Sequence, residues 1–214
     1  VDGVMGVQMF TVRREQGRLG QFAPVIRTFL EREGADSAWR PGLALACADV
    51  GDLQEARKQF DIIAEDNFSA IAQDSLRQTC LCYLAEVCDV LGDAERAAAL
   101  YDMLLPYAEL VLVVGNATAC LGSTARYLGQ LATVMARYDD AEQHFIFAND
   151  LNRKAAAAPW LAHNNYEFAR MLIQRGDTGD RGRAVDLLAE AERTSRELGM
   201  DYLLGKLGAL RDTL

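Results

Sequence analysis

Clustered positive charge is missing from this chain. The densest cationic groupings are Arg13 with Arg14 and Arg181 with Arg183, while the formal net charge is −9 and the pI about 4.8. Such a surface repels phosphate backbones and anionic lipid, which argues against direct nucleic-acid or membrane-surface binding. Long apolar runs are also lacking, since Leu110 to Val114 falls far short of the ~20 residues that cross a bilayer. There is no glycine-rich phosphate loop ending in Gly-Lys-Ser or Gly-Lys-Thr, and no pair of metal-binding aspartates in a cyclase context, so neither ATPase nor cyclase chemistry is assigned to this segment. Only four prolines and 8% aromatics, beside abundant Ala and Leu, favour helix over sheet. The chain opens on Val1 with no signal-peptide pattern and reads as a piece of a longer protein.

The five cysteines, at 47, 80, 82, 88 and 120, are odd in number. Four fall on expected buried helical faces, which points to a reduced, cytoplasmic setting. Cys80 and Cys82 are two apart, which turns them about 200° apart on a helix and leaves no shared metal. No cofactor is expected.

What the chain does have is a repeated helical hairpin. Leu81, Leu84, Ala85, Cys88 and Leu91 recur at steps of three and four, as do Ala94, Ala97, Tyr101 and Leu104, so each half of 81–107 is an amphipathic helix. Between them Gly92 suits the left-handed end of one helix and Asp93 the cap of the next. Gly51, Asp52, Ala56 and Phe60 repeat the spacing of Gly92, Asp93, Ala97 and Tyr101. Ala141 with Phe145 is a third copy that has lost its glycine. Gly176, Ala184 and Leu188 form a fourth with three extra residues, and Gly17, Phe22 and Ile26 a degraded first. One hairpin has too little covered apolar face to stand alone, so stacking is expected. The expected fold is all-α, a right-handed α-α superhelix over the single domain 1–214. Its hairpins lie near 2–34, 36–66, 73–108, 117–155 and 159–198, with a capping helix at 200–214. Gly34 and Gly199 serve as stops. Leu110 to Val114, ending at Gly115 and Asn116, is the stretch that does not read as helix. It is either an extended connector packed under helices or a sheet edge that docks another domain.

The repeats resemble tetratricopeptide repeats through Leu128, Gly129, Ala141, Phe145 and Ala148, and through Leu84, Ala85, Ala97 and Tyr101. Their spacing of roughly 34 to 44 residues compares with ~34 for that family. More narrowly, Met9 with Arg13 to Leu19, and Cys120 to Ser123 with Arg126 to Gly129, look like the repeat region of large bacterial signalling ATPases of the STAND type. The resemblance implies a parent protein with a P-loop module and, in some members, a nucleotide cyclase or helix-turn-helix domain outside this segment.

In such a stack the first helices line a concave face. Counting back from the repeat alanines places Tyr83 and Glu86 there from one hairpin, Arg126, Tyr127 and Gln130 from the next, and His163, Tyr166, Glu167 and Arg170 from the last. The corresponding positions of the second hairpin are Ala38, Pro41, Gly42, Leu45 and Ala48, so polar equipment concentrates toward the C-terminal half. Arginine offers a planar fork for carboxylates and tyrosine a rigid amphipathic surface. These residues either meet a partner or pair among themselves, Arg126 and Arg170 with Glu86 and Glu167. No serine or cysteine stands at nucleophile spacing from His144 or His163, and Asp139, Asp140 and Glu142 suit a helix start. The reading is a non-catalytic module for contact with a protein, a peptide or other domains of the same chain, with a homodimer possible. The alternative is a sensor of a small effector.

Overall fold

The computed structural model describes residues 2–33, 39–115 and 117–213. Gly34, Ala38, Asn116 and the first residues of the expected 36–50 helix lie outside them. The chain is mostly helical. The helices are α1 Asp2–Glu15, α2 Ala23–Glu33, α3 Arg40–Asp49, α4 Leu53–Ala64, α5 Arg77–Leu91, α6 Ala94–Leu104, α7 Thr124–Val134, α8 Tyr138–Lys154, α9 Ala158–Arg175, α10 Asp180–Leu198 and α11 Asp201–Arg211. Consecutive helices pack as α3 on α4, α5 on α6, α7 on α8 and α9 on α10, while α3, α5, α7 and α9 also touch their neighbours and form an inner row.

The turns between α3 and α4, α5 and α6, and α7 and α8 share one backbone solution. At Gly51 and Gly92, φ is +81° and +64°, and the amides after each helix reach back to its last carbonyls: Gly51 to Ala48, Asp52 to Cys47, Gly92 to Asp89 and Asp93 to Cys88. Such left-handed closure is cheapest at glycine. The copy without glycine makes the same turn, because Ala136 adopts φ +57° and the Ala136 and Arg137 amides bond to Thr133 and Ala132. Asp52 and Asp93 cap the following helices by accepting from the amides of Glu55 and Arg96, both at 3.2 Å. One turn inside, the repeat alanines Ala56, Ala97, Ala141 and Ala184 are fully buried. Gly129 marks the closest approach of α7 to α8, where an added Cβ would come within 2.7 Å of the Phe145 ring.

The 110–123 stretch departs from the expected hairpin. Val111–Val114 forms β1 and pairs antiparallel with β2, Ala119–Ser123, with a register shift between Leu112 and Val113. Leu112 and Val114 are buried while Val113 between them is exposed, the period of two that a half-buried strand requires. Helix was expected from Ala117 onward but starts only at Thr124, where the Ser123 hydroxyl accepts from the Ala125 amide at 3.2 Å. Gly122 explains the delay: its φ is +76°, and a Cβ there would stand 2.6 Å from Trp160. Among the described residues no helix is long and apolar enough to cross a membrane.

Candidate functional site: a charged interior

The inner helices α5, α7 and α9 bring polar and charged stripes to the centre of the molecule. Glu86 and Asp89 lie three apart on α5, Arg126 and Gln130 four apart on α7, and His163, Glu167 and Arg170 at steps of four and three on α9, the spacing that stacks side chains on one helical face. This face was expected to stand free. Instead α1 and α11 lie against it and supply the missing charges. Arg14 of α1 donates from Nε to Asp49 of α3 at 2.7 Å and from Nη1 to Glu86 at 3.1 Å, with a second, shorter bond from Nη2 to Glu86. Arg126 reaches the same carboxylate at 3.1 Å, and its guanidinium lies 4.1 Å from the centre of the Tyr127 ring.

A second set follows on α9. Arg170 donates to both oxygens of Asp89 at 2.7 and 2.6 Å and to Glu167 at 2.9 Å. Lys206 of α11 stands 3.8 Å from Glu167 and lies over the rings of Tyr166 and Tyr202. His163, stacked on Trp160, places Nε2 3.0 Å from both carboxylate oxygens of Glu15, joining α9 to α1 across 148 residues of sequence.

Burial would push these carboxyls up, yet the cations prevail at three of them. Arg14 and Arg126 hold Glu86 well below the usual carboxylate range, His163 lowers Glu15, and Arg170 with Lys206 lowers Glu167. Asp89 goes the other way, because burial and the nearby charge of Glu167 outweigh Arg170. Burial depresses the cations in turn, but Asp49 and Glu86 at Arg14, Tyr127 and Glu86 at Arg126, Glu167 and Asp89 at Arg170, and Glu167 at Lys206 more than restore them to above their ordinary values. Chemically the interior is a lattice of fixed ion pairs, which geometry and low dielectric make stiff.

The structure therefore brings Glu86, Arg126, His163, Tyr166, Glu167 and Arg170 into one buried set. Arg126 pairs with Glu86 on the neighbouring helix, as the self-pairing alternative has it, whereas Arg170 takes Asp89 from α5 and Glu167 from its own helix. Tyr83 is buried against Phe10, with ring centroids 5.5 Å apart. Tyr127 turns away and donates its hydroxyl to the Leu121 carbonyl at 3.1 Å, steadying β2. Gln130 is buried, and its Oε1 has no hydrogen-bond partner. Among the residues expected from the sequence, Arg170 keeps the most access, with 27% of its side chain exposed. His144 lies apart, half-buried, 2.8 Å from the Tyr101 hydroxyl. Glu142 binds Arg175 and Arg183 rather than joining a carboxylate cluster.

Arg14, Asp49, Tyr202 and Lys206 were missed by counting along the inner helices. A signal was present. Arg14 follows Phe10 by four, Asp49 follows Leu45 by four, and Lys206 follows Leu203 by three, so each is a charge on an otherwise apolar helical face.

Comparison with known proteins finds no family model, curated protein or solved structure that matches this chain.

Proposed function

We propose that the chain is a non-catalytic helical-repeat module, a tetratricopeptide-like superhelix that makes protein or interdomain contacts within a cytoplasmic signalling ATPase of the STAND type. The observation that carries this reading is the way the inner row takes α1 and α11. Arg14 enters between Asp49 and Glu86, and Lys206 approaches Glu167, so helices are received by matched charge on a wall of stacked first helices. A solenoid receives a partner segment by the same means. With its inner wall occupied by its own helices, the module presents to partners the outer row of second helices, where Leu53, Ile62, Ile146, Phe147 and Val185 remain exposed.

Hydrogen exchange tests the proposal on this chain alone and within a parent protein that contains it. Slower exchange along α4, α8 and α10 in the longer protein supports the reading. Identical rates on those helices in both settings overturn it.

A further inference from the structure

A cavity of about 390 Å³ opens between α1, α3, α5 and the β1–β2 turn, in the size range of small-molecule sites. Its walls are apolar. Val7 and Phe10 come from α1, Trp39 stands at the start of α3, and Tyr83 lies on α5, while Val4, 53% exposed, stands at the mouth. No charged residue is among the described residues that line it, although a quarter of the chain is charged. The ion-pair lattice is a neighbour of this cavity and no part of its lining.

Hydroxyl-bearing residues among the described lining are Thr79, Thr118 and Tyr83, and the buried threonine gives the cavity a direction. Thr79 lines it, is only 6% exposed, and its hydroxyl has no hydrogen-bond partner. A helical threonine ordinarily bonds back to the carbonyl four residues earlier. Thr133 does so to Gly129 at 2.7 Å and Thr11 to Val7 at 3.1 Å. Thr79 stands in the first turn of α5, where that carbonyl belongs to Ser75, ahead of the helix. A buried hydroxyl left without a partner is costly, and a turn of the Thr79 side chain toward the cavity would let a ligand group supply one.

We infer that this cavity is a binding site for a neutral, ring-bearing small molecule that carries one hydrogen-bonding group, set against Phe10, Trp39 and Tyr83 and held in register by Thr79. A charged ligand is disfavoured, because none of the described lining residues carries a charge to pair with it. The site is independent of the interdomain reading, which neither requires nor supplies a ligand.

The test is a fluorescence titration of the whole chain with N-phenyl-1-naphthylamine, a neutral aromatic amine with a single N–H whose emission rises in apolar surroundings. The expected result is saturable one-to-one enhancement. Filling the cavity with Val7→Phe weakens binding at least ~10-fold, Thr79→Val weakens it about 3- to 10-fold, and Leu105→Phe, at an exposed residue after α6 that does not line the cavity, leaves it unchanged. Where Val7→Phe fails to fold by circular dichroism, Val4→Phe at the exposed mouth takes its place. Absence of saturable enhancement, or equal affinity in the original and cavity-filled chains, overturns the inference. Equal affinity in Thr79→Val overturns the role given to the hydroxyl.

Discussion

Tyr202 donates its hydroxyl to Asp49 Oδ1 at 2.5 Å, although 153 residues separate them in the sequence. The same carboxylate accepts from Arg14, so one aspartate on α3 fastens both α1 and α11 to the inner row. Tyr202→Phe deletes one of those bonds and leaves the ring in place. The expected loss is about 1 to 2 kcal/mol in chemical denaturation, in line with hydrogen bonds to charged acceptors. Amide exchange should quicken in α11 and stay unchanged in α8.

Breaking the lattice at its centre costs more. Arg126→Ala leaves Glu86 with a single arginine in a buried site, and the typical loss for a broken buried pair is about 3 to 5 kcal/mol. Thermal melting read by circular dichroism gives the comparison, with Arg153→Ala as control, since Arg153 lies on an exposed stretch of α8.

Acid should weaken the fold in a defined window. Glu86, Glu15 and Glu167 have folded-state pKa values below their unfolded ones. Their stabilising contribution is complete above the ordinary glutamate value of about 4.3 and is lost as pH falls through the folded values. Asp89, raised by burial and by Glu167, has the opposite sign: its penalty grows as pH rises from the unfolded toward the folded value, which partly offsets the three glutamates. Denaturant midpoints measured from pH 7 to pH 3 should fall, and Glu86→Gln should lower stability at pH 7 while flattening the fall.

Three small-residue changes separate packing from backbone effects. Gly129→Ala drives a methyl into the Phe145 ring and should cost about 1 to 3 kcal/mol. Gly205→Ala, inside α11 with nothing within 4 Å, should gain about 0.5 to 1 kcal/mol from helix propensity. Ala136→Gly relieves an alanine held at φ +57° and should stabilise by up to about 1 kcal/mol. Denaturation curves check all three signs.

Thiol reactivity reports the integrity of the core. Cys120 is exposed, whereas Cys47, Cys80, Cys82 and Cys88 are buried. Burial pushes the Cys80 thiol up to about 11 and the Cys88 thiol up to about 12, which suppresses the reactive thiolate. A maleimide at pH 7 should add once to the native chain and five times after unfolding in guanidinium, counted by mass. Rapid addition at Cys88 in the native chain would contradict the packing of α5 on its neighbours.

Local chemistry written into the residues determined the helices and the turns between them. A glycine or small residue after each first helix, an aspartate cap at Asp52 and Asp93, and alanines at 56, 97, 141 and 184 act over one or two turns, so their spacing could be read directly. The β1–β2 pair was half legible: Leu110 to Val114 announced an extended segment, but its partner Ala119–Ser123 is rich in small residues and depends on Gly122 fitting beneath Trp160. The inner-face residues, too, were found by periodicity.

Whether that inner face is open or covered was decided only by tertiary structure. Tyr202 meets Asp49, Lys206 meets Glu167 and Glu15 meets His163 across long sequence separations, and helical period says which side of a helix a charge occupies but not which distant helix neutralises it. A buried arginine such as Arg126 or Arg14 is tolerated only because Glu86 and, for Arg14, Asp49 arrive from other helices, and their arrival is a property of the folded chain.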